Sequence, residues 1–145
     1  MPTVTARTLE GYQTEIKTRN HTFYADEPED AGGLDSAPTP MEMLAGALAS
    51  CMAITTRLYA DRKKWPLEGV DVTVDIERMK AADYPDYQGD AQFVHEYRVR
   101  LSFRGPLNAE QRERLLDIAG KCPVHRAVET PAFFHTELLE ALPAE

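Results

Sequence analysis

Thr39-Pro40-Met41-Glu42-Met43-Leu44-Ala45-Gly46-Ala47-Leu48-Ala49-Ser50-Cys51 is the stretch on which the reading of this chain turns. Its first four residues have the form of a capping box, with Thr39 as N-cap, Pro40 at N1 and Glu42 at N3. Beyond them Leu44, Leu48, Cys51, Thr55 and Leu58 recur at intervals of three and four, the period of one helical face. Pro66 stops the pattern. The spacing predicts a helix of about 25 residues, roughly 37 Å long. Ala45, Gly46, Ala47, Ala49 and Ser50 are small, so another backbone can approach closely. A long helix of this kind needs surrounding, and a chain of 145 residues has little to surround it with, which points to a partner subunit.

Outward from the helix the pattern changes to strands. Residues 3–9 and 12–18 are rich in Thr, Val, Ile and Tyr, with Glu10-Gly11 as a turn, and residues 22–25 follow a second turn at Arg19-Asn20-His21. Residues 26–39 read as a loop with the Gly32-Gly33 pair. On the C-terminal side, Val70, Val72, Val74 and Ile76 alternate with Asp71, Thr73, Asp75 and Glu77, the pattern of a half-buried strand. Residues 81–90 form a loop carrying Tyr84 and Tyr87. Phe93, His95, Tyr97, Val99, Leu101 and Phe103 then line one face of a second strand, with Arg98, Arg100 and Arg104 as a solvated row on the other. Asn108 caps a second helix with Gln111 at N3, and Leu115, Ile118, Ala119 and Cys122 lie along its inner face. Pro123 interrupts it, residues 124–129 form one more helical turn, and residues 132–137 are strand-like. Strands at both ends with helices between them give the α+β class in a single domain, 1–145.

Composition narrows the function. Sixteen basic against twenty-four acidic side chains give a net charge of −8, which argues against nucleic acid and anionic membrane as partners. The uncharged run over residues 43–56 is too short and too rich in Ala and Ser to span a bilayer. No charged segment followed by an apolar one opens the chain, so no secretory signal is expected. A small secreted disulfide scaffold would need more than two cysteines, so a reducing cytoplasm is expected.

Those cysteines, 71 positions apart, carry the chemistry. Cys51 falls on the apolar face of the long helix, where a cysteine ordinarily serves as a small buried hydrophobe. Cys122-Pro123 places a thiol at the start of a short helix, where backbone N–H groups and the helix dipole favour a thiolate and are expected to lower its pKa. His125 and Arg126 follow within one turn. Two thiols facing one interior can cycle between dithiol and disulfide when their Cα atoms come within about 7 Å. A thiolate that opens a peroxide becomes a sulfenic acid, which a second thiol condenses to a disulfide, with no cofactor needed.

The motif set Asp26-Glu27-Pro28, Gly32-Gly33, Pro38-Thr39-Pro40-Met41-Glu42-Met43-Leu44 and Ala47-Leu48-Ala49-Ser50-Cys51, followed by Cys122-Pro123-Val124-His125-Arg126, resembles the two signatures of the OsmC/Ohr family, in the form of its OsmC-like branch. The resemblance implies an intertwined homodimer, with antiparallel sheets packed around two long central helices and active sites at the subunit interface. It implies that Cys51 attacks an organic hydroperoxide, that Cys122 resolves it, and that a dithiol such as a lipoyl group is the reductant. The family's hydroperoxide-resistance branch also uses a Glu ten residues before the first Cys and an Arg after the first hairpin glycine. Here Met41 occupies the first position and Glu42 lies one residue later; Tyr12 and Gln13 stand where the Arg is expected. Arg7, Arg19 and Arg126 are the candidate substitutes.

Catalytic candidates are therefore Cys51, Cys122 and Glu42, the last having a competing structural reading as the N3 member of the capping box. Two competing readings remain. One is a non-catalytic dimer holding an apolar small molecule in the interface pocket. The other is a zinc module in which Cys122 and His125 join Cys51 and His21 or His95.

Overall fold

The computed structural model describes residues 3–141. Its longest element is helix α1, Pro40–Lys63. The capping box is complete: Thr39 Oγ1 accepts the Glu42 N–H at 3.2 Å, and Glu42 Oε2 accepts the Thr39 N–H at 2.8 Å. At the other end Lys64 turns into the left-handed region (φ 56°, ψ 37°), and its N–H meets the Ala60 and Asp61 carbonyls. The exit is held by Arg57, whose Nη1 and Nη2 donate to the carbonyls of Leu67 (2.5 Å) and Glu68 (2.8 Å).

The loop that delivers the chain to α1 is organised by one carboxylate. Asp26 is buried. It accepts the Ser36 hydroxyl at 2.6 Å and the N–H groups of Glu27 (2.8 Å), Ser36 (3.1 Å) and Leu34 (3.3 Å). These bonds, the Ser36 hydroxyl foremost, hold its pKa below the usual carboxylate value. Gly32 takes φ 90°, and a Cβ on Gly33 would collide with the Glu27 carbonyl, so the loop needs both glycines.

Among the described residues five strands form two antiparallel sheets. β1 (Thr5–Thr8), β2 (Thr14–Thr18) and β3 (His21–Ala25) pair in that order. Among the described residues this sheet makes no extensive contact with the helices. β4 (Gly69–Lys80) and β5 (Phe93–Arg104) form the second sheet, with Val72 opposite Leu101 and Val74 opposite Val99. The expected alternation is present. On the outer face the arginine row is paired rather than free: Arg100 with Asp75 (2.8 Å), Arg104 with Asp71 (2.9 Å) and Arg98 with Glu77 (3.2 Å). All three pairs are well exposed, so each contributes little to stability. In the β4–β5 connection a 3-10 turn, Ala81–Asp83, precedes Tyr84, whose hydroxyl donates to Glu96.

Helix α2 (Ala109–Ala119) starts with the Asn108–Gln111 capping box, and α3 (Pro123–Glu129) starts at Cys122. The core has two parts. Leu48, Met52, Ala119 and Cys122 pack with Val72, Val74, Tyr97, Val99 and Leu101. Ala60, Leu67, Leu107 and Leu115 pack with Val70, Phe103 and the rings of Tyr59 and Trp65.

Two expectations are corrected. The buried stripe of α1 is Leu48, Met52, Thr56 and Ala60, rotated from the expected Leu44–Leu58 face, and Leu58 is exposed. A helix this apolar around its circumference does not announce which stripe the sheet will take. Residues 132–137 form no strand. Phe133 and Phe134 are almost fully exposed, and no neighbouring strand offers the ladder that extended backbone requires. By length and composition alone α1 would be able to cross a membrane; here it packs against β4, α2 and α3.

Candidate functional site: two thiols at the α1–α3 junction

Cys51 and Cys122 are brought together. Cys51 lies half-buried in the fourth turn of α1, and Cys122 is fully buried at the N-cap of α3. Both pack into the apolar cluster of Leu48, Met52 and Ala119 against the inner face of β4 and β5. Both are free thiols, and Cys51 is near enough to Cys122 to raise its pKa.

The local sequence explains the placement of Cys122. Pro123 at N1 ends α2's run and sets the backbone for α3, so Cys122 takes extended dihedrals (φ −67°, ψ 151°). Its sulfur then caps the new helix, accepting the His125 N–H at 3.3 Å. The expectation that this N-terminus lowers the thiol pKa is corrected. Burial among apolar side chains pushes it up, the N–H of His125 opposes that push, and the neighbouring Cys51 thiol raises it further. Desolvation outweighs the cap, so Cys122 is a held, protonated thiol at neutral pH.

The other named candidates fall outside this contact. Glu42 is exposed at the first turn of α1, its carboxylate on the Thr39 N–H. Arg7 stands on β1 opposite Glu15, Arg19 in the β2–β3 turn with φ 52°, and Arg126 in α3. All three are exposed, and among the described residues none bonds to either thiol. The His125 ring has a buried, unbonded Nδ1, 3.8 Å from Glu129 Oε2. Among the described residues no three His, Cys, Asp or Glu side chains converge as a metal site. Tyr97 and Val124 join the lining. Sequence periodicity marked Tyr97 as an inner-face residue but gave no sign that the face would meet the thiols.

The site is thus a long helix with a cysteine in its fourth turn, beside a second cysteine that caps a Pro-started helix. The family model described as OsmC-like protein matches residues 33–137, which include both thiols. The chain belongs to the OsmC-like family. Among solved structures the fold of this OsmC-like chain is similar to that of an osmotic stress induced and detoxification response protein from Psychrobacter arcticus (TM-score 0.67, 23% identity, 88% of each chain covered). It is similar also to the organic hydroperoxide resistance protein OsmC from Legionella pneumophila (TM-score 0.64, 21% identity, 88% of each chain). A third is OhrB of Bacillus subtilis (TM-score 0.59, 20% identity, 88% of this chain and 89% of that one). At these identities the likeness is one of fold. A search of curated proteins by sequence found no match.

Proposed function

We propose that this protein is a thiol-dependent peroxidase that reduces organic hydroperoxides through Cys51 and Cys122. The observation that carries the reading is that two free thiols, distant in sequence, are neighbours in one apolar cluster. Family membership and the hydroperoxide-resistance names of the Legionella and Bacillus neighbours support it.

The unequal environments of the thiols assign their roles. Cys51 is the more accessible and meets the peroxide first. Its thiolate sulfur attacks one peroxide oxygen. The O–O bond breaks, the alkoxide leaves and takes up a proton as the alcohol, and Cys51 becomes a sulfenic acid. Cys122 is kept protonated and close. Its sulfur attacks Cys51, the S–O bond breaks, and water leaves with the Cys122 proton as the disulfide forms. A dithiol, such as a lipoyl group, returns both thiols and is itself oxidised. Glu42 acts as a positioning residue, fixing the start of the helix that carries Cys51. The working unit is a homodimer in the cytoplasm, and the exposed Ile54 and Leu58 on α1 support a partner helix there.

The test is intact-mass analysis after stoichiometric cumene hydroperoxide. Loss of two hydrogens in the wild type, and a dimedone-trappable sulfenic acid at Cys51 in Cys122→Ser, are expected. An unchanged mass would overturn the proposal in favour of a binding protein whose interface pocket holds an apolar molecule.

A further inference from the structure

Away from the thiols, the C-terminal half of α1 and the start of α2 enclose an open cleft of about 580 Å³, within the range of small-molecule sites. Its floor is aromatic. Trp65, the chain's single tryptophan, meets the Tyr59 ring edge to face with centroids 5.6 Å apart. The Trp65 main chain is held where its backbone N–H donates to the Ala60 carbonyl at 2.9 Å, directly after the left-handed turn at Lys64. The Tyr59 hydroxyl accepts from Arg114 Nε at 3.0 Å.

The walls are acidic. Glu110, Glu113 and Asp117 line the cleft against one cation, Arg114. That guanidinium is already engaged: its Nη1 donates to Asp117 Oδ2 at 2.7 Å, and it lies over the Tyr59 ring at 5.4 Å. Lys63 Nζ approaches the same ring at 5.7 Å. The chain's own cations thus gather on this aromatic surface, as its quadrupole favours. Asp117 is shared with Lys121 at 2.7 Å. Glu110 and Glu113 have no ion pair among the described residues.

We propose that this cleft binds a small organic ammonium ion, with the charge held by Glu110 and Glu113 and the alkyl part against Trp65. An anion would meet two unneutralised carboxylates. A neutral apolar ligand would strip water from them without compensation. The site shares no residue with the thiol pair, so the inference stands apart from the peroxidase reading.

The probe is putrescine, titrated against the full chain at constant ionic strength, with binding measured by equilibrium dialysis and by Trp65 fluorescence. Saturable binding at one site per chain is expected, with a Kd of roughly 0.1–1 mM for so open a cleft. In the Glu110→Gln/Glu113→Gln variant the affinity falls at least tenfold. Both side chains are exposed, so the fold is retained, and peroxide oxidation of Cys51 stays at the wild-type rate. Dialysis showing no saturable uptake, or equal affinity in the double variant, overturns the proposal.

Discussion

Replacing Ile54 with alanine tests the assembly that the α1 surface supports. In the single chain Ile54 is 59% exposed and Leu58 52% exposed, on the side of the helix away from the sheet. A change at so open a position should alter the stability of an isolated subunit by no more than about 0.5 kcal/mol. In a two-fold dimer each residue of the contact is used twice. Full burial of an isoleucine side chain is worth about 1.5–3 kcal/mol. Alanine keeps one of the four side-chain carbons, and only the exposed fraction of Ile54 is newly buried, so the loss is about 1.3–2.7 kcal/mol per dimer, counting both copies. That corresponds to a roughly 9- to 90-fold weaker dimer. Sedimentation equilibrium over a dilution series gives the dissociation constant directly, and Leu58→Ala should behave alike. A variant whose dissociation constant stays within threefold of the wild type would refute the reasoning, and α1 would then need a different cover.

Three further predictions follow from particular bonds. Asp26→Asn should loosen the loop over residues 26–36, seen as faster amide exchange at Leu34 and Ser36. The lowered Asp26 pKa adds stability that is complete above the unfolded value near 3.9 and lost as the pH falls through the folded one, so the variant's acid melting profile should be flatter. Cys122, raised by burial, works in the opposite direction. Its contribution is complete below the unfolded thiol value near 8.5 and lost as the pH rises beyond it, a slope that Cys122→Ser should remove from the alkaline melting curve. Glu42→Gln keeps an acceptor at N3, so helix stability and the rate of Cys51 oxidation should both hold. A large loss of rate at unchanged melting temperature would assign the carboxylate to the chemistry instead.

The parts of the fold visible in the sequence are those with local chemical causes. Both capping boxes set helix starts where Thr39 and Asn108 stand, because caps answer to neighbouring N–H groups and not to tertiary context. The alternation in β4 and β5 survives because one face meets the core and the other meets water. The stripe of α1 was not legible, since its small and apolar residues run around the helix and the sheet selects among them. Residues 132–137 carry strand propensity, but propensity cannot supply a pairing edge. At the site, the two cysteines and their helical settings were readable. The net effect on Cys122 was not: the cap is local in sequence, while the burial that outweighs it comes from Leu48, Met52 and the strands. The cleft between Tyr59, Trp65 and α2 joins segments whose proximity only folding creates.

The β1–β3 sheet bears on how the molecule is made. Among the described residues these three short strands make only sparse contact with the helices, too little apolar burial to persist on their own. The segment from α1 to α3, by contrast, holds both halves of the core. For the homodimer proposed above, maturation would divide into a first-order collapse of the helical half and a second-order step in which the N-terminal strands find cover on another copy, so recovery from denaturant should quicken as the protein is concentrated.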